Sequence, residues 1–362
     1  MSIDYVKAPF PWFGGKSDAA PAVWSAIGDV HHYVEPFAGS LAVLLRRPHP
    51  VNRAYYSETV NDLDGLLVNA WRSIALSPDA TAEAASWPVS EADLHARHVA
   101  LLRWKEAGAV ERLMGDPAYH DPVMGGWWLW GQSSWIGSGW CSGRGPWWVD
   151  DEGRLVKRKG GAGVSRQLPH ISSDGRGVNR PVLREAGVWS ADDFHPMTMP
   201  ELRAWMRFLS ARLRHVRILN GDWQRACTSG ALKTLSVRQK KGAVAGVFLD
   251  PPYTDVRTDG MYAHDDLDVA HAVREWCVAN GEDPKLRIAL AGFDTEHEDL
   301  ESVGWRSVEW YQAGFLKGGM ASMSALGTQQ GRERLWLSPH CIGEQITAST
   351  DVQLGLFGEA TA

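Results

Sequence analysis

The sequence has few cysteines and no long apolar segment. Its 362 residues include four cysteines, which are far apart and form no Cys-x-x-Cys pair. This spacing indicates neither a zinc ribbon nor a disulfide framework, so we predict no metal site. No apolar stretch is long enough to span a bilayer, and no basic segment followed by an apolar one resembles a signal peptide. We therefore expect a cytoplasmic protein that has no membrane partner.

An excess of positive charge is also missing. The formal net charge is −6 and the calculated pI is about 6.1, which argues against a protein that coats nucleic acid indiscriminately. A local basic surface remains compatible with these values. The length and the 44% hydrophobic content allow a large core and about two domains.

An unusual strand ending is the most informative feature that is present. The apolar run Val247-Phe248-Leu249 is followed directly by Asp250-Pro251-Pro252-Tyr253. Proline supplies no N–H, whereas its carbonyl still accepts hydrogen bonds, and the aspartate adds two acceptor oxygens. Several acceptors beside a flat aromatic ring suit a planar molecule with an exocyclic amino group, such as a nucleobase. The alternative is a strand that ends in a tight Pro-Pro turn.

Two glycine-containing segments near the N-terminus are candidate ligand loops. The first is Trp12-Phe13-Gly14-Gly15-Lys16, in which paired glycines permit a close ligand approach. The second is Glu35-Pro36-Phe37-Ala38-Gly39, between a predicted strand and a predicted helix. Loops of this kind lie at the carboxyl edge of an open α/β sheet, where ligands bind. Ordinary turns are the alternative for both.

Two acidic residues follow other predicted strands. Asp62 comes after the second strand, where an acid can accept hydrogen bonds from ribose hydroxyls, although it can also favour a helix N-terminus. Asn61 is a plausible cap for a helix over 63–74. Asp222, in Asn220-Gly221-Asp222-Trp223, is placed to accept from a cofactor adenine, with Trp223 near the ring. The alternative for that segment is a simple turn.

Taken in order, these motifs resemble the Dam-like DNA adenine-N6 methyltransferases. That family has Trp-x-Gly-Gly-Lys, Glu-Pro-Phe-x-Gly, Asn-Asp-x-Asn, an insertion, an Asp-Phe-like pair and Asp-Pro-Pro-Tyr. The resemblance covers about 5–75 and 200–340. The chain departs from the pattern at Ser40-Leu41, at Asp64, where Asn is common, and throughout its tryptophan-rich insertion.

The resemblance implies S-adenosylmethionine as methyl donor and double-stranded DNA as substrate. The implied cofactor-binding residues are Trp12, Gly14, Lys16, Glu35, Phe37, Gly39, Asp62, Asp222 and Trp223. The implied catalytic residues are Asp250, Pro251, Pro252 and Tyr253. The acceptors at Asp250 and Pro251 would hold the target amino group, and Tyr253 would stack on a base that has left the duplex.

The implied fold is α/β, a Rossmann-like methyltransferase sheet with helices on both faces, interrupted by an inserted target-recognition subdomain. We expect the catalytic domain to comprise residues 1–78 and 200–340. Residues 79–199 would form the recognition region. Residues 341–362 would be a flexible tail.

The predicted insertion is rich in tryptophan and then in positive charge. Residues 125–148 contain seven tryptophans among glycines and serines, with no clear helical or strand period. Residues 153–184 contain eight basic residues and one acid. The basic residues that are candidates for DNA contact are Arg154, Lys157, Arg158, Lys159, Arg166, Arg176, Arg180 and Arg184. The alternatives are tryptophan packing within a small subdomain and a solvated basic face.

The tail contains Gln353-Leu354-Gly355-Leu356-Phe357, which resembles the bacterial sliding-clamp-binding peptide. In this interpretation Gln353, Leu354, Leu356 and Phe357 are the contact residues. Chance hydrophobicity in a polar tail is the alternative.

Three other functions stay open from the sequence. Cytosine-N4 methylation uses the same chemistry, although enzymes of that group more often have Ser at the position of Asp250. A DNA-binding relative without turnover would have the same fold. Methylation of RNA or of a protein amide is disfavoured, because the protein-directed relatives favour Asn at that position.

Overall fold

A computed structural model provides the coordinates of the protein. The residues that it describes are 6–12, 14–48, 56–116, 118–135, 140–141, 145–150, 152, 154–157, 159, 164, 169, 178, 181–183, 194–196, 198–233, 241–252, 267–310 and 332–342.

A seven-stranded sheet forms the centre of the molecule. Its strands are β1 (His32–Glu35), β2 (Ser57–Asp62), β7 (Val216–Asn220), β8 (Ala245–Leu249), β9 (Leu286–Phe293), β10 (Arg306–Glu309) and β11 (Glu333–Leu337). The order across the sheet is β10-β11-β9-β8-β1-β2-β7. The five strands from β9 to β7 are parallel, whereas β11 is antiparallel to both β9 and β10.

The chain reverses its direction across the sheet at β1. From β1 it proceeds to β2 on one side, and it returns later to β8 on the other side. Such a reversal opens a crevice at the carboxyl ends of the strands, which is where open α/β sheets bind ligands.

Helices cover both faces of the sheet, as the sequence predicts. The helices are α1 (Ala20–Ile27), α2 (Ala42–Leu45), α3 (Gly65–Leu76), α4 (Pro78–Ala85), α5 (Glu91–Trp104), α6 (Val110–Gly115), α7 (Pro122–Ser134), α8 (Met199–Leu213), α9 (Ser229–Leu232) and α10 (Leu267–Asn280). Side chains of β8 alternate between the faces: Phe248 packs in the core with α1, α3 and α8, whereas Val247 and Leu249 pack with α10.

The first half of the tryptophan-rich segment is a helix, which the sequence did not indicate. Glycines break the apolar period of α7, yet they allow its backbone to lie close to its neighbours. A Cβ at Gly125 would lie 3.0 Å from Ser73 Oγ of α3, and one at Gly126 would lie 2.5 Å from the Ala84 side chain of α4. The helix forms although the sequence shows no clear helical period, because tight interhelical packing replaces a periodic apolar stripe.

The tryptophans from α7 to Trp140 pack into or against the main core and not into a separate small subdomain. Trp128 contacts Phe10, with ring centroids 5.1 Å apart, and both belong to the cluster that covers one face of the sheet. The same cluster includes Trp130, Trp135 and Trp140. The helical part of the predicted insertion is therefore continuous with the catalytic core.

The expected helix cap at Asn61 is also wrong. Strand β2 continues to Asp62, and α3 begins after Asp64, whose carboxylate accepts from the backbone N–H of Leu66 at 3.0 Å. The amide of Asn61 instead joins loops at the end of β2.

Two short antiparallel pairs lie between α7 and α8. They are β3 (Trp147–Val149) with β4 (Leu155–Lys157), and β5 (Pro181–Leu183) with β6 (Phe194–Pro196). Across the described ranges, no helix is both long enough and apolar enough to cross a membrane. The four cysteines are buried thiols, and the described part of the chain contains no cluster of side chains that could hold a metal ion.

Candidate active site

The side-chain amides of two asparagines connect the loops at the carboxyl edge of the sheet through hydrogen bonds. The Asn61 amide nitrogen donates to the carbonyls of Pro36 at 3.0 Å and Gly221 at 2.9 Å. The Asn220 amide nitrogen donates to the carbonyl of Asp62 at 2.9 Å. These bonds hold the ends of β1, β2 and β7 against one another. The Asn61 side-chain oxygen is buried and has no hydrogen-bond partner among the described residues, so it is an acceptor that a bound ligand can satisfy.

Asp62 holds the glycine loop that follows β1. One of its carboxylate oxygens accepts from the backbone N–H of Gly39 at 2.9 Å, and the other accepts from that of Asp64 at 2.9 Å. Burial raises the pKa of Asp62 to about 6, although these backbone donors oppose the shift. A carboxylate oxygen accepts more than one hydrogen bond, so Asp62 can also accept from ribose hydroxyls.

Gly39 lies directly under Trp12. Its φ is +45°, and a Cβ there would lie 2.6 Å from the Trp12 indole nitrogen. The Gly39 carbonyl accepts from the Trp71 indole N–H at 2.9 Å. Only glycine fits this position. Gly39 therefore lets the loop after β1 contact Trp12, which is another predicted cofactor residue.

Asp250 forms an ion pair with Lys16 at the end of β8. The Lys16 ammonium lies 3.1 Å from Asp250 Oδ1, and it donates to the Gly14 carbonyl at 2.7 Å. The lysine side chain is 4% exposed, whereas that of the aspartate is 22% exposed. The structure thus places Lys16 against the predicted catalytic carboxylate, while the resemblance alone implies only that Lys16 lies near the cofactor. Pro251 is buried and Pro252 is partly buried.

Glu35 is buried at the end of β1, next to the crevice. Its Oε2 accepts from the Tyr33 hydroxyl and from the backbone N–H of Leu44, each at 3.2 Å. Burial raises the pKa of Glu35 to about 8, and the nearby charge of Asp250 adds to the shift. The side chain therefore carries its proton at neutral pH. These contacts give it a structural role in orienting α2 beneath the loop.

Phe37 and Trp223 form an aromatic stack after β1 and β7. Their ring centroids are 5.9 Å apart with an interplanar angle of 27°. Asp222 is exposed, and its carboxylate caps the short helical turn Trp223–Arg225 by accepting from the backbone N–H of Gln224 at 2.8 Å. The turn predicted for this segment is present, and it leaves the acid at the surface beside the stack.

Glu333, the first residue of β11, is a site residue that the sequence motifs do not reveal. Because β11 is antiparallel to β9, its N-terminal end lies at the same edge as the carboxyl ends of the parallel strands, with Glu333 opposite Phe293. Burial raises the pKa of Glu333, the charge of Lys16 opposes the rise and the charge of Asp250 adds to it. No motif marks β11, so only the topology identifies this residue.

The basic residues predicted to contact DNA are only partly described. The Arg154 side chain forms ion pairs within the β3–β4 turn, with Asp150 at 2.9 Å and with Glu152. Lys157 lies over the Trp147 ring at 5.8 Å, and both Lys157 and Lys159 are exposed. Five of the predicted basic residues lie outside the described residues: Arg158, Arg166, Arg176, Arg180 and Arg184.

Other predicted contacts also lie outside the described residues. These are Tyr253 at the end of the catalytic tetrapeptide and the tail residues Gln353, Leu354, Leu356 and Phe357.

Comparison with protein families gives one match at the N-terminal half of this site. Residues 12–95 match the family described as D12 class N6 adenine-specific DNA methyltransferase. The match includes Lys16, Glu35, Gly39 and Asp62, which lie at the carboxyl edge described above. No curated protein matches the chain.

The match agrees with the sheet, in which five parallel strands and an antiparallel pair have helices on both faces. It also agrees with the order of the motifs that end at Asp250. By this match over residues 12–95, the chain is similar to the N6 adenine-specific DNA methyltransferases of the D12 class.

Proposed function

We propose that the protein transfers a methyl group from S-adenosylmethionine to the N6 amino group of an adenine in a specific DNA sequence. The observation that carries the proposal is the placement of Asp250 at the same sheet edge as Gly39 and Asp62. An acceptor for the target amine and a loop suited to the methyl donor thus lie on the two sides of the crevice between β8 and β1.

The residues at this edge fit the proposed cofactor. Asp62 offers acceptors for ribose hydroxyls, and Asp222 offers an exposed carboxylate for an adenine amino group. The buried Asn61 side-chain oxygen has no hydrogen-bond partner in the part of the chain that the structure describes. When bound, S-adenosylmethionine supplies an electrophilic methyl group on a sulfonium centre.

Asp250 and the Pro251 carbonyl would orient the target amine. The amino nitrogen of adenine is a poor nucleophile because its lone pair is delocalised into the ring. Acceptors that hold its two hydrogens favour a geometry in which the lone pair points at the methyl carbon. The nitrogen–carbon bond then forms as the carbon–sulfur bond breaks, with its electron pair left on sulfur. The nitrogen releases one proton to solvent. Positioning and electrostatic stabilisation supply the catalysis.

The target adenine must leave the duplex to reach Asp250. We propose that Tyr253 stacks on the extruded base, as its position after the prolines suggests. The rate of extrusion is measurable with 2-aminopurine at the target position, because its fluorescence rises when the base unstacks.

Nucleoside analysis tests the proposal directly. The purified protein is incubated with S-adenosylmethionine labelled in its methyl group and with DNA of mixed sequence, and the product is digested to nucleosides. Label in N6-methyl-2′-deoxyadenosine is the expected result. Label in N4-methyl-2′-deoxycytidine, or no label in any nucleoside, would contradict it. Sequencing of methylated positions then gives the target sequence.

The basic run Lys157-Arg158-Lys159, in which Lys157 and Lys159 are exposed, should contribute to DNA affinity. Replacing Lys157, Arg158 and Lys159 together with Gln should weaken DNA binding and should lower the slope of log K against log salt by about 0.9 for each phosphate that the variant no longer neutralises. Fluorescence anisotropy at several salt concentrations measures the slope. An Arg154→Gln variant is the matched control, because Arg154 is already paired within the turn. An unchanged slope in the triple variant would place the DNA elsewhere.

We also propose that the C-terminal motif binds a bacterial sliding clamp. Burial of two apolar side chains such as Leu356 and Phe357 contributes roughly 3–6 kcal/mol before the cost of ordering the tail. We therefore expect an affinity of about micromolar. The double variant Leu356→Ala, Phe357→Ala should lose clamp binding in surface plasmon resonance, yet it should methylate short duplexes at the normal rate. Equal clamp binding by the two proteins would refute the assignment.

A further inference from the structure

One residue of the loop after β1 is held by hydrogen bonds on both sides of its Cα. The Gly39 N–H donates to the Asp62 carboxylate at 2.9 Å, and the Gly39 carbonyl accepts from the Trp71 indole N–H at 2.9 Å. Asp62 ends β2, whereas Trp71 lies in the middle of α3. A strand end and a helix thus fix the two peptide groups that flank Gly39.

These two bonds select one backbone conformation of a residue that has many. Glycine loses more backbone freedom on folding than any other residue, and Gly39 has the left-handed φ of +45°. The Trp12 ring lies against Gly39 on one side, but a ring contact does not orient a peptide group. The hydrogen bonds with Asp62 and Trp71 therefore decide how the loop presents its backbone.

Packing aims the Trp71 indole at the loop. The Trp71 side chain is 1% exposed, and its ring centroid lies 5.4 Å from that of Phe10. Phe10 in turn contacts Trp128 of α7, with centroids 5.1 Å apart. The indole N–H is the one polar group of this side chain, and the Gly39 carbonyl satisfies it. Helix α7, in the predicted insertion, thus supports the cofactor loop through two aromatic rings.

We propose that Trp71 is a positioning residue for cofactor binding, which holds the loop after β1 in its binding conformation through the Gly39 carbonyl. The inference rests on the proposed function, in which this loop and Asp62 bind S-adenosylmethionine. A loop that is already ordered loses little conformational entropy when its ligand binds. If a variant occupies the binding conformation for only part of the time, its apparent Kd rises by the reciprocal of that fraction.

The substitution Trp71→Phe tests the role of the indole N–H. It removes the donor and keeps an aromatic ring in the core. In the cofactor-free protein, hydrogen exchange of the Gly39 amide should become about tenfold faster or more. The Kd for S-adenosylmethionine, measured by isothermal titration calorimetry, should rise about tenfold, as expected when a buried carbonyl loses its donor. At saturating cofactor, kcat should stay within about twofold of wild type, because Asp250 is unchanged.

Trp24→Phe is the matched control. Trp24 is also buried, and its indole N–H donates to the backbone carbonyl of Val43 in α2 at 2.8 Å. This variant loses the same kind of bond, so its melting temperature should fall by a similar amount. Its Gly39 exchange rate and its Kd for the cofactor should match those of wild type.

An isosteric residue at position 71 separates the hydrogen bond from the shape of the ring. In benzothienylalanine a sulfur atom replaces the indole N–H, and the fused ring system keeps its size. This variant should reproduce both effects of Trp71→Phe, and it replaces that variant in the test if the phenylalanine prevents folding.

Three outcomes would overturn the inference. They are an unchanged Gly39 exchange rate in the position-71 variants, an unchanged Kd in those variants, and equal effects in Trp24→Phe. A wild-type protein that binds no S-adenosylmethionine would instead refute the proposed function, so the two failures are distinguishable.

Discussion

Replacing Asp250 with alanine should lower the rate of methyl transfer by about a hundredfold to a thousandfold, the range for loss of a key polar group in an active site. The variant loses both the acceptor for the target amine and the carboxylate that pairs with Lys16. Cofactor affinity should change little, because Asp62, at the end of β2, lies on the other side of β1 from β8. Single-turnover methylation and calorimetric titration measure the two effects.

Asp250→Ala also leaves a nearly buried lysine without its carboxylate. A modest fall in melting temperature is therefore expected, whereas Asp250→Asn should be more stable because it keeps one acceptor for the ammonium. The matched control is Asp294→Asn, which replaces the acid that follows the neighbouring strand β9 and pairs with Arg332. A near-normal rate in Asp250→Ala would show that the catalytic assignment is wrong.

Cofactor affinity should decrease as the pH falls through about 6, because protonated Asp62 is a weaker acceptor for ribose hydroxyls. Burial holds the pKa of Asp62 at that value, well above its ordinary value of 3.8. The change should approach tenfold per pH unit below the pKa. The pKa of Glu35 is about 8, so any effect of its ionisation on cofactor affinity appears at higher pH than the effect of Asp62. Isothermal titration calorimetry at about every half pH unit between pH 5 and 7.5 measures how the cofactor affinity depends on pH.

Two variants isolate the contribution of Asp62. Asp62→Asn should bind the cofactor about tenfold or more weakly at pH 7.5, in line with loss of a hydrogen bond to a buried polar group, and its affinity should be independent of pH in this range. Asp222→Ala should weaken binding but keep the pH dependence. Parallel pH profiles for wild type and Asp62→Asn would exclude the ribose role.

The pKa of Asp62 also affects folding. Its folded-state pKa lies above the unfolded value, so the native state binds the proton more tightly. Ionisation of Asp62 therefore costs stability, and this cost appears as the pH rises from 3.8 to about 6. A buried carboxylate kept at some cost in stability is typical of a binding site.

The motifs predicted the sheet edge correctly because strand ends and turn residues are local signals. Strands β1, β7 and β8 end where the motifs Glu35-Pro36, Asn220-Gly221 and Asp250-Pro251 indicate strand ends. The parallel arrangement then brings their carboxyl ends together. The family match over residues 12–95 confirms the predicted resemblance to adenine-specific DNA methyltransferases, while the individual residue roles remain proposals.

Other features depend on contacts between distant segments and leave no local signal. Helix α7 was missed because its apolar residues surround the helix and its glycines pack on α3 and α4. Glu333 was missed because its place at the carboxyl edge follows from an antiparallel strand. Asn61 fits a helix cap by type, but its amide instead bonds to carbonyls on two other loops.

The hydrogen bond from Asn61 to Gly221 spans 160 residues of sequence, and that from Asn220 to Asp62 spans 158. During synthesis, β1 and β2 therefore leave the ribosome long before the segments that complete their pocket. The loop that contains Gly39 has neither β7 nor β8 as a neighbour while the segment between β2 and β7 is translated. Because native contacts of such separation form late, the growing chain should acquire affinity for its methyl donor only when translation has passed Asp250.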